Sequence, residues 1–308
     1  MIVAILGAGP AGMSCANACL SFGLTPVAIE RGDHLGGAQR SNFHPNLWML
    51  GFPGETGEQM TQRLAAHYRE LPLTTHFRAE VTQVQRSGNR FLLTLAGAEG
   101  SRTQAADAIV LATGTRPRAT PALAQFAALC PRAIIGPLSN TIRDGIRDTD
   151  VLILGGGDNA LDHALFLAER GNRAVVCTRA GFSARRPFIA ACQAHDEIEL
   201  RAHCSLPRLA CGDNRVIATW PEHARAFDWL LVMYGYLPNT EVLARFDPAI
   251  RPALTGNGYL HVDAWQRSSV PGIYAAGDVT DSPQPSVATA MAQGLTAARA
   301  AERDLPAS

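Results

Sequence analysis

Short, wholly apolar runs punctuate the chain, each followed by glycines and then by a stretch with helical spacing. Residues Ile2 to Leu6 form the first run. Apolarity at every position marks a strand buried on both faces. Gly7-Ala8-Gly9-Pro10-Ala11-Gly12 follows, residues 13–20 fit a helix with Gly23 past its end, and Val27-Ala28-Ile29 is a second apolar strand closed by Glu30. The order recurs at 151–154, with Gly155-Gly156-Gly157-Asp158-Asn159-Ala160 as the loop, 161–170 as the helix, Gly171 at the helix C-cap and 174–177 as the next strand. Further on, strand-like segments at 79–84 and 90–96, joined by Ser87-Gly88-Asn89, lead into the apolar run 108–114. Their counterparts are 199–203 and 216–220, with Gly212-Asp213-Asn214 as a turn, leading into 229–235. Glycine-bearing turns between alternating segments read as hairpins. The pattern predicts an α/β fold made of two Rossmann-like, three-layer dinucleotide-binding domains, each with an antiparallel β insert.

The loop residues have distinct jobs in such a fold. Gly7 permits the tight turn, Gly9 lets a pyrophosphate approach the backbone, and Gly12 lets the helix pack against the strand. The helix N-terminus offers unpaired N–H groups and a partial positive charge to the phosphates. Glu30, 23 residues after Gly7, is placed to accept hydrogen bonds from ribose hydroxyls. In the second loop Ala160 takes the third glycine's place, and the residue 23 positions after Gly155 is Thr178, followed by Arg179. A carboxylate repels a 2′-phosphate and an arginine pairs with it, so NADPH is favoured over NADH. Arg185 and Arg186 are candidate helpers, or part of a solvated basic cluster.

Composition narrows the class. A chain of 308 residues suggests about two domains. With 27 basic and 27 acidic residues the net charge is zero, which argues against nucleic acid or an anionic membrane as partner. No stretch is long and apolar enough to span a bilayer. The N-terminus lacks a charged leader and runs straight into a strand, so it reads as mature. The seven cysteines (Cys15, Cys19, Cys130, Cys177, Cys192, Cys204 and Cys211) contain no C-x-x-C pair and no metal spacing. They are expected to be buried thiols in a reducing cytoplasm, with no metal bound.

Several segments, in order, resemble the low-molecular-weight thioredoxin reductases within the wider two-dinucleotide-binding-domain flavoproteins. GAGPAG at 7–12 is similar to their FAD loop, Gly36-Gly37 with Gln39 to their GGQ segment, and Phe52-Pro53-Gly54 to their FPG turn. Ala112-Thr113-Gly114 resembles their ATG segment, GGGDNA at 155–160 their NADPH loop, and Gly235 with Pro238-Asn239-Thr240 their return to the FAD domain. The string from Ser269 to Asp278 resembles their most specific motif, whose Gly277-Asp278 would hold the ribityl chain. The resemblance implies a noncovalent FAD, a homodimer, and an NADP domain inserted into the FAD domain. The FAD domain would comprise 1–115 with 241–308, and the NAD(P)H-binding domain 116–240. FAD contacts are expected from Gly7, Gly9, Pro10, Ala11, Gly12, Glu30, Arg31, Gly37, Gln39, Val81, Ala112, Thr113, Gly114, Gly277, Asp278, Ser286 and Val287. NADPH contacts are expected from Gly155, Gly157, Asp158, Asn159, Ala160, Arg179, Arg185 and Gly235. The helix beginning near Ser286 would aim its dipole at the flavin.

The chain departs from that family at three places. Where the redox pair is expected stand Leu138-Ser139-Asn140-Thr141, and neither leucine nor threonine carries a thiolate. The family's HRR is Thr178-Arg179-Ala180, and its RQA is Pro285-Ser286-Val287. Cys15 and Cys19, one helical turn apart, read as core thiols, Cys204 and Cys211 as structural, and His34 and His44 as surface polar residues. No catalytic side chain is assigned, since the flavin would carry the chemistry. The leading expectation is an NAD(P)H oxidoreductase that passes electrons from flavin directly to ferredoxin, flavodoxin, a quinone or a small molecule. The C-terminal extension of ferredoxin–NADP reductases of this architecture, and a basic patch for ferredoxin, are not seen. Two other readings stay open: an FAD-binding redox sensor with a vestigial NADP domain, and a disulfide reductase using non-motif thiols.

Overall fold

The computed structural model describes residues 1–46, 49–98 and 100–306. The chain divides into two compact units, Met1–Arg116 with Leu237–Ser308, and Pro117–Tyr236. The first unit begins β1 (Ile2–Leu6), α1 (Pro10–Ser21), β2 (Thr25–Ile29), α2 (Gly57–Arg69) and β3 (Thr74–His76). It continues with β4 (Glu80–Ser87), β5 (Arg90–Gly97), β6 (Gly100–Ala106) and β7 (Ala108–Leu111), and leaves through β8 (Thr115–Pro117). The second unit holds α3 (Pro121–Leu129), β9 (Ala133–Ile135), β10 (Asp150–Leu154), α4 (Asp158–Ala168), β11 (Arg173–Cys177) and α5 (Arg186–Gln193). After these come β12 (Ile198–Arg201), β13 (Arg208–Gly212), β14 (Arg215–Thr219), β15 (Ala224–Phe227) and β16 (Trp229–Val232). The return to the first unit runs through β17 (Tyr236–Pro238), which pairs with β8, to β18 (Ile273–Ala275) and α6 (Val287–Asp304).

Each unit is built on a parallel five-stranded sheet, ordered β18-β7-β1-β2-β3 in the first and β12-β11-β10-β16-β9 in the second. Each also carries a three-stranded antiparallel sheet, β4-β5-β6 or β13-β14-β15. Both expected domains thus have the three-layer α/β form with an antiparallel insert. The apolar strands serve two cores by alternation. Val3, Ile5 and Val110 face the helices, while Ala4, Leu6, Ile109 and Leu111 face Phe91, Leu93 and Leu95 of the antiparallel sheet.

One expected strand changes place. The segment at 199–203 was read as part of the second insert, but β12 pairs in parallel with β11, Ala174 opposite Ile198, and so belongs to the main sheet. It is an edge strand, buried at Ile198 and more exposed beyond it, so its pattern mimics a hairpin arm. The insert is completed instead by β15, as β6 completes the first; β6 is too polar, and β15 at four residues too short, to stand out as a strand.

The helix layer of the first unit depends on small side chains. A Cβ at Gly294 of α6 would lie 2.2 Å from the Ala11 carbonyl oxygen and 3.0 Å from the Cys15 nitrogen of α1. Ser14 donates to the Met291 carbonyl at 2.8 Å across the same crossing. At the far end of α6, Asp304 accepts from Tyr274 Oη (2.9 Å) and from the Arg267 guanidinium (2.7 and 2.8 Å). Contact at backbone distance is what lets both helices start beside the strand ends that form the site.

Gly294→Ala is expected to force α1 and α6 apart and to cost about 1–3 kcal/mol. Thermal unfolding should show a lowered midpoint, while Gly256→Ala, which would meet nothing within 4 Å, should leave it nearly unchanged.

Candidate functional site

In the first unit β1 ends at Leu6 and the chain turns at Gly7, whose φ is +108°. A Cβ there would lie 2.4 Å from the Ala112 carbonyl oxygen, and one at Gly12 would lie 1.9 Å from the Gly7 carbonyl oxygen. Only glycine allows this approach of strand end, turn and helix. Gly9 precedes α1, with Pro10 at its first turn, and no side chain caps the helix. The first-turn N–H groups are therefore left for an anion. A second loop crosses the first: Gly36 N donates to the Ala8 carbonyl at 2.8 Å, and Gly37, φ +54°, packs its backbone on Gly9.

Glu30 holds the two loops after β1 and β2 together. Its carboxylate accepts from Ala8 N at 2.8 Å and from Gly32 N at 2.7 Å. Each oxygen keeps a lone pair for a ligand hydroxyl. Gly7, Glu30, Arg31, Val81 and Thr113 line one cavity of about 200 Å³. Asn239 and Arg245, which the sequence reading did not place there, line it too. Asn239 is fixed by Thr113: Thr113 Oγ1 donates to the Asn239 carbonyl (2.8 Å), and Asn239 Nδ2 donates back to the Thr113 carbonyl (2.9 Å). Gly114, φ +65°, accepts from Asn239 N at 2.9 Å. Gln39 is turned into its own loop, where it accepts from Asn42 Nδ2 at 2.9 Å.

At the end of β18, Gly277 (φ +79°) lies against Ala11, and its N–H donates to Gln293 Oε1 at 2.8 Å. Asp278 follows, half-buried, and among the described residues no group hydrogen-bonds its carboxylate. Burial pushes this carboxyl above the usual carboxylate range. Ser286 caps α6, accepting from Thr289 N at 3.1 Å, and Val287 is buried beneath that turn. An unpartnered carboxylate, an uncapped helix start and a cleft bordered by glycine backbone fit a ligand with hydroxyls at one end and a diphosphate in the middle. The residues present could hold FAD.

The second unit repeats the backbone arrangement around its turn. A Cβ at Gly155 (φ +150°) would lie 2.3 Å from the Met233 carbonyl oxygen, as Gly7 does toward Ala112. Gly155 N donates to the Cys177 carbonyl (3.0 Å) as Gly7 N does to Ile29 (2.9 Å), and Thr178 N to Arg201 (3.0 Å) as Glu30 N does to His76 (2.8 Å). Gly157 precedes α4 without a side-chain cap, and Ala160 is buried at the third glycine's place. Asn159 Nδ2 approaches Tyr236 Oη at 3.4 Å, and Gly235 is left-handed at φ +82°. His163, buried in α4, sets its ring nitrogens 2.7 Å from the Asn159 carbonyl and 3.1 Å from that of Pro137.

The charges differ between the two cradles. Thr178 packs on Gly156 where Glu30 bridges in the first. Arg185, expected as a phosphate partner, is engaged by the loop itself: Asp158 accepts from its backbone N (2.7 Å) and its Nε (2.6 Å). Arg179 is exposed and makes no ion pair among the described residues.

Two cysteine expectations change. Cys130 and Cys211 are joined by a disulfide rather than standing as thiols, so Cys130 is not a free core thiol. The other five, Cys15, Cys19, Cys177, Cys192 and Cys204, are free. Spacing could not reveal the pair, because its members are 81 residues apart. Residues 138–141, where the family resemblance implies a redox pair, lead into a single π-helical turn, Thr141–Gly145.

A family model described as "Pyridine nucleotide-disulphide oxidoreductase" matches residues 1–294. The chain belongs to the pyridine nucleotide-disulphide oxidoreductase family. It is similar to the thioredoxin reductase of Chlamydia trachomatis, 29% identical over 98% of this chain and 97% of that one. It is 28% identical to the ferredoxin–NADP reductase of Limosilactobacillus fermentum, over 96% and 91%. The fold matches that of Lactococcus lactis thioredoxin reductase with a TM-score of 0.83 at 22% identity, covering 98% and 97%. A member of this family is a flavoprotein oxidoreductase that uses a pyridine nucleotide. Among the described residues, no helix is long and apolar enough to cross a membrane.

The raised pKa of Asp278 has a sign that can be tested. A carboxyl whose folded-state pKa lies above its ordinary 3.8 contributes stability that is full below that value and is lost as pH rises through the folded-state pKa. Asp278→Asn is therefore expected to raise the melting midpoint of the ligand-free protein at neutral pH. The gain should shrink as pH is lowered toward about 4, as melting curves across the range would show.

Proposed function

We propose that this chain binds FAD in the first cradle and NADPH in the second, and delivers electrons to an acceptor outside the chain without an internal dithiol relay. The observation that carries the reading is the pair of cradles of one design in a polypeptide that lacks C-x-x-C. Bound FAD would supply the redox chemistry, taking two electrons from a nicotinamide and releasing them to the acceptor.

The protein's part is binding and electrostatics. Gly7, Gly9, Pro10, Ala11 and Gly12 present the start of α1 to the diphosphate, Gly37 closes over it, and Ala112 sets the turn. Glu30 accepts from ribose hydroxyls, with Arg31 and Val81 lining the cleft. Thr113 and Gly114 shape its floor. Gly277 and Asp278 hold the polyhydroxy chain, the carboxylate of Asp278 gaining the hydrogen bonds that the protein does not give it. Ser286 and Val287 begin α6, whose dipole favours negative charge nearby. In the second cradle Gly155, Gly157, Asn159 and Ala160 present α4 to a second diphosphate.

The lean toward NADPH rests on Arg179. It is exposed and makes no ion pair among the described residues, at the position following the one where the first cradle places a carboxylate. With Arg185 held by Asp158, Arg179 carries the 2′-phosphate contact. The acceptor is an external one (ferredoxin, flavodoxin, a quinone or a small molecule). Relatives matching along nearly the whole length are named for thioredoxin and for ferredoxin, so acceptors differ among chains of this size. We place the protein in the cytoplasm as a homodimer.

Anaerobic mixing of the FAD-loaded protein with NADPH should bleach the flavin absorbance, with every cysteine replaced as well as without. Retained absorbance over minutes would reject the reading. Arg179→Ala should weaken NADPH binding about tenfold, the worth of one charge-assisted hydrogen bond, and leave NADH nearly unaffected. Titration with both nucleotides checks this; equal losses would reject the assigned role.

A further inference from the structure

The Cys130–Cys211 disulfide lies away from any segment the family resemblance singles out. Its Cα atoms are 5.9 Å apart and its residues 81 positions apart, so it closes one of the longer loops the second unit could contain. Cys130 caps the C-terminus of α3 and is fully buried. Cys211 lies on β13, an edge strand of its sheet, and is exposed. The bond ties α3 to that sheet over a shared apolar cluster. The cluster includes Leu152 and Leu154 of β10, Cys177 of β11 and Val232 of β16, the strands that carry the second cradle.

The unequal exposure of the two residues decides how the bond can react. A thiolate must reach one sulfur and displace the other. Cys130 is fully buried whereas Cys211 is exposed, with the exposed Leu129 beside Cys130, so Cys211 is the member of the pair open to attack. Most remaining thiols are withdrawn. Cys15, Cys19, Cys177 and Cys192 are buried, and burial pushes Cys177 up to about 12 and Cys192 to about 11. Cys177 and Cys192 therefore stay protonated and unreactive at neutral pH.

We propose that Cys130–Cys211 is a reversible redox switch in the second unit, opened by a dithiol-bearing molecule that attacks Cys211, and that opening it loosens the floor of the second cradle. In the first step the dithiol's thiolate bonds to Cys211 Sγ, the bond to Cys130 Sγ breaks, and Cys130 leaves with the electron pair and takes a proton. In the second, the attacker's other thiolate bonds to its own bound sulfur and releases Cys211. The attacker ends oxidised by two electrons and the pair ends as two thiols. Opening returns the 81-residue loop's entropy to the unfolded chain and lowers stability.

The test uses the full chain, equilibrated in dithiothreitol buffers of graded redox poise, then acid-trapped, denatured and labelled with a maleimide. Mass spectrometry should count five thiols at the oxidised end and seven at the reduced end, the two gained being Cys130 and Cys211. Reduction should lower the melting midpoint by several degrees and weaken NADPH binding severalfold. Cys211→Ser should show the lower midpoint from the start and no response to dithiol. The proposal is overturned by seven thiols that oxidised dithiothreitol cannot join, by a bond that resists excess dithiol in the folded protein, or by reduction that leaves the midpoint unmoved. The nucleotide arm rests on the proposed function. Failure to bind NADPH in either state would count against that function alone, and the thiol count and melting shift would still decide the switch.

Discussion

The arrangement of both units follows from one contact: a strand-end carbonyl oxygen occupies the space where the turn glycine's Cβ would be. It is 2.4 Å from that position at Gly7 and 2.3 Å at Gly155. The contact brings β7 against the turn after β1, and β16 against the turn after β10. The helix that follows is then pressed back onto the strand, to the point that a Cβ at Gly12 would lie only 1.9 Å from the Gly7 carbonyl oxygen. A helix held this way starts with its N–H groups facing the ends of the parallel strands, where no side chain of its own satisfies them. The same crowding that excludes side chains therefore makes a backbone site for a diphosphate.

The repeat clarifies which parts of the site belong to the fold and which to the ligand. Backbone bonds around the turn are conserved between the units to within about 0.2 Å, from Gly7–Ile29 against Gly155–Cys177 to Glu30–His76 against Thr178–Arg201. Side chains diverge at once. Glu30 ties two loops and faces the cleft, whereas Thr178 leaves that position uncharged and the loop's carboxylate, Asp158, turns to Arg185. One scaffold thus carries a carboxylate at this position in one unit and an uncharged hydroxyl in the other.

Much of this was legible along the chain, because the strands beneath the site are apolar at every position and the glycines sit where only glycine fits. What escaped has physical reasons. β6 lies at a sheet edge with a polar sequence, and β15 lies at another with only four residues, so alternation does not mark either. β12 is a parallel strand whose exposed end looks like a hairpin arm. Gly294 stands inside a helix, where a glycine reads as a weakness; its purpose appears only once α1 is seen at backbone distance. Asn239 and Arg245 join Gly7 and Glu30 at one cavity through a chain excursion of more than a hundred residues, which no local spacing encodes.

The cysteines show the same division between local and nonlocal information. The lack of C-x-x-C is a local fact and removes a neighbouring dithiol from the chain's own electron path. The Cys130–Cys211 bond is nonlocal: it depends on α3 and β13 meeting over the core beneath the second cradle. A dithiol acting in electron transfer must come within reach of the acceptor group, but a disulfide acting on stability need only span elements that the core already holds together. The second requirement is met by one exposed and one buried cysteine, because the exposed residue admits the reductant and the buried one couples the bond to packing. Thiol chemistry in this chain is thus placed to set the rigidity of a nucleotide-binding scaffold rather than to pass electrons along it.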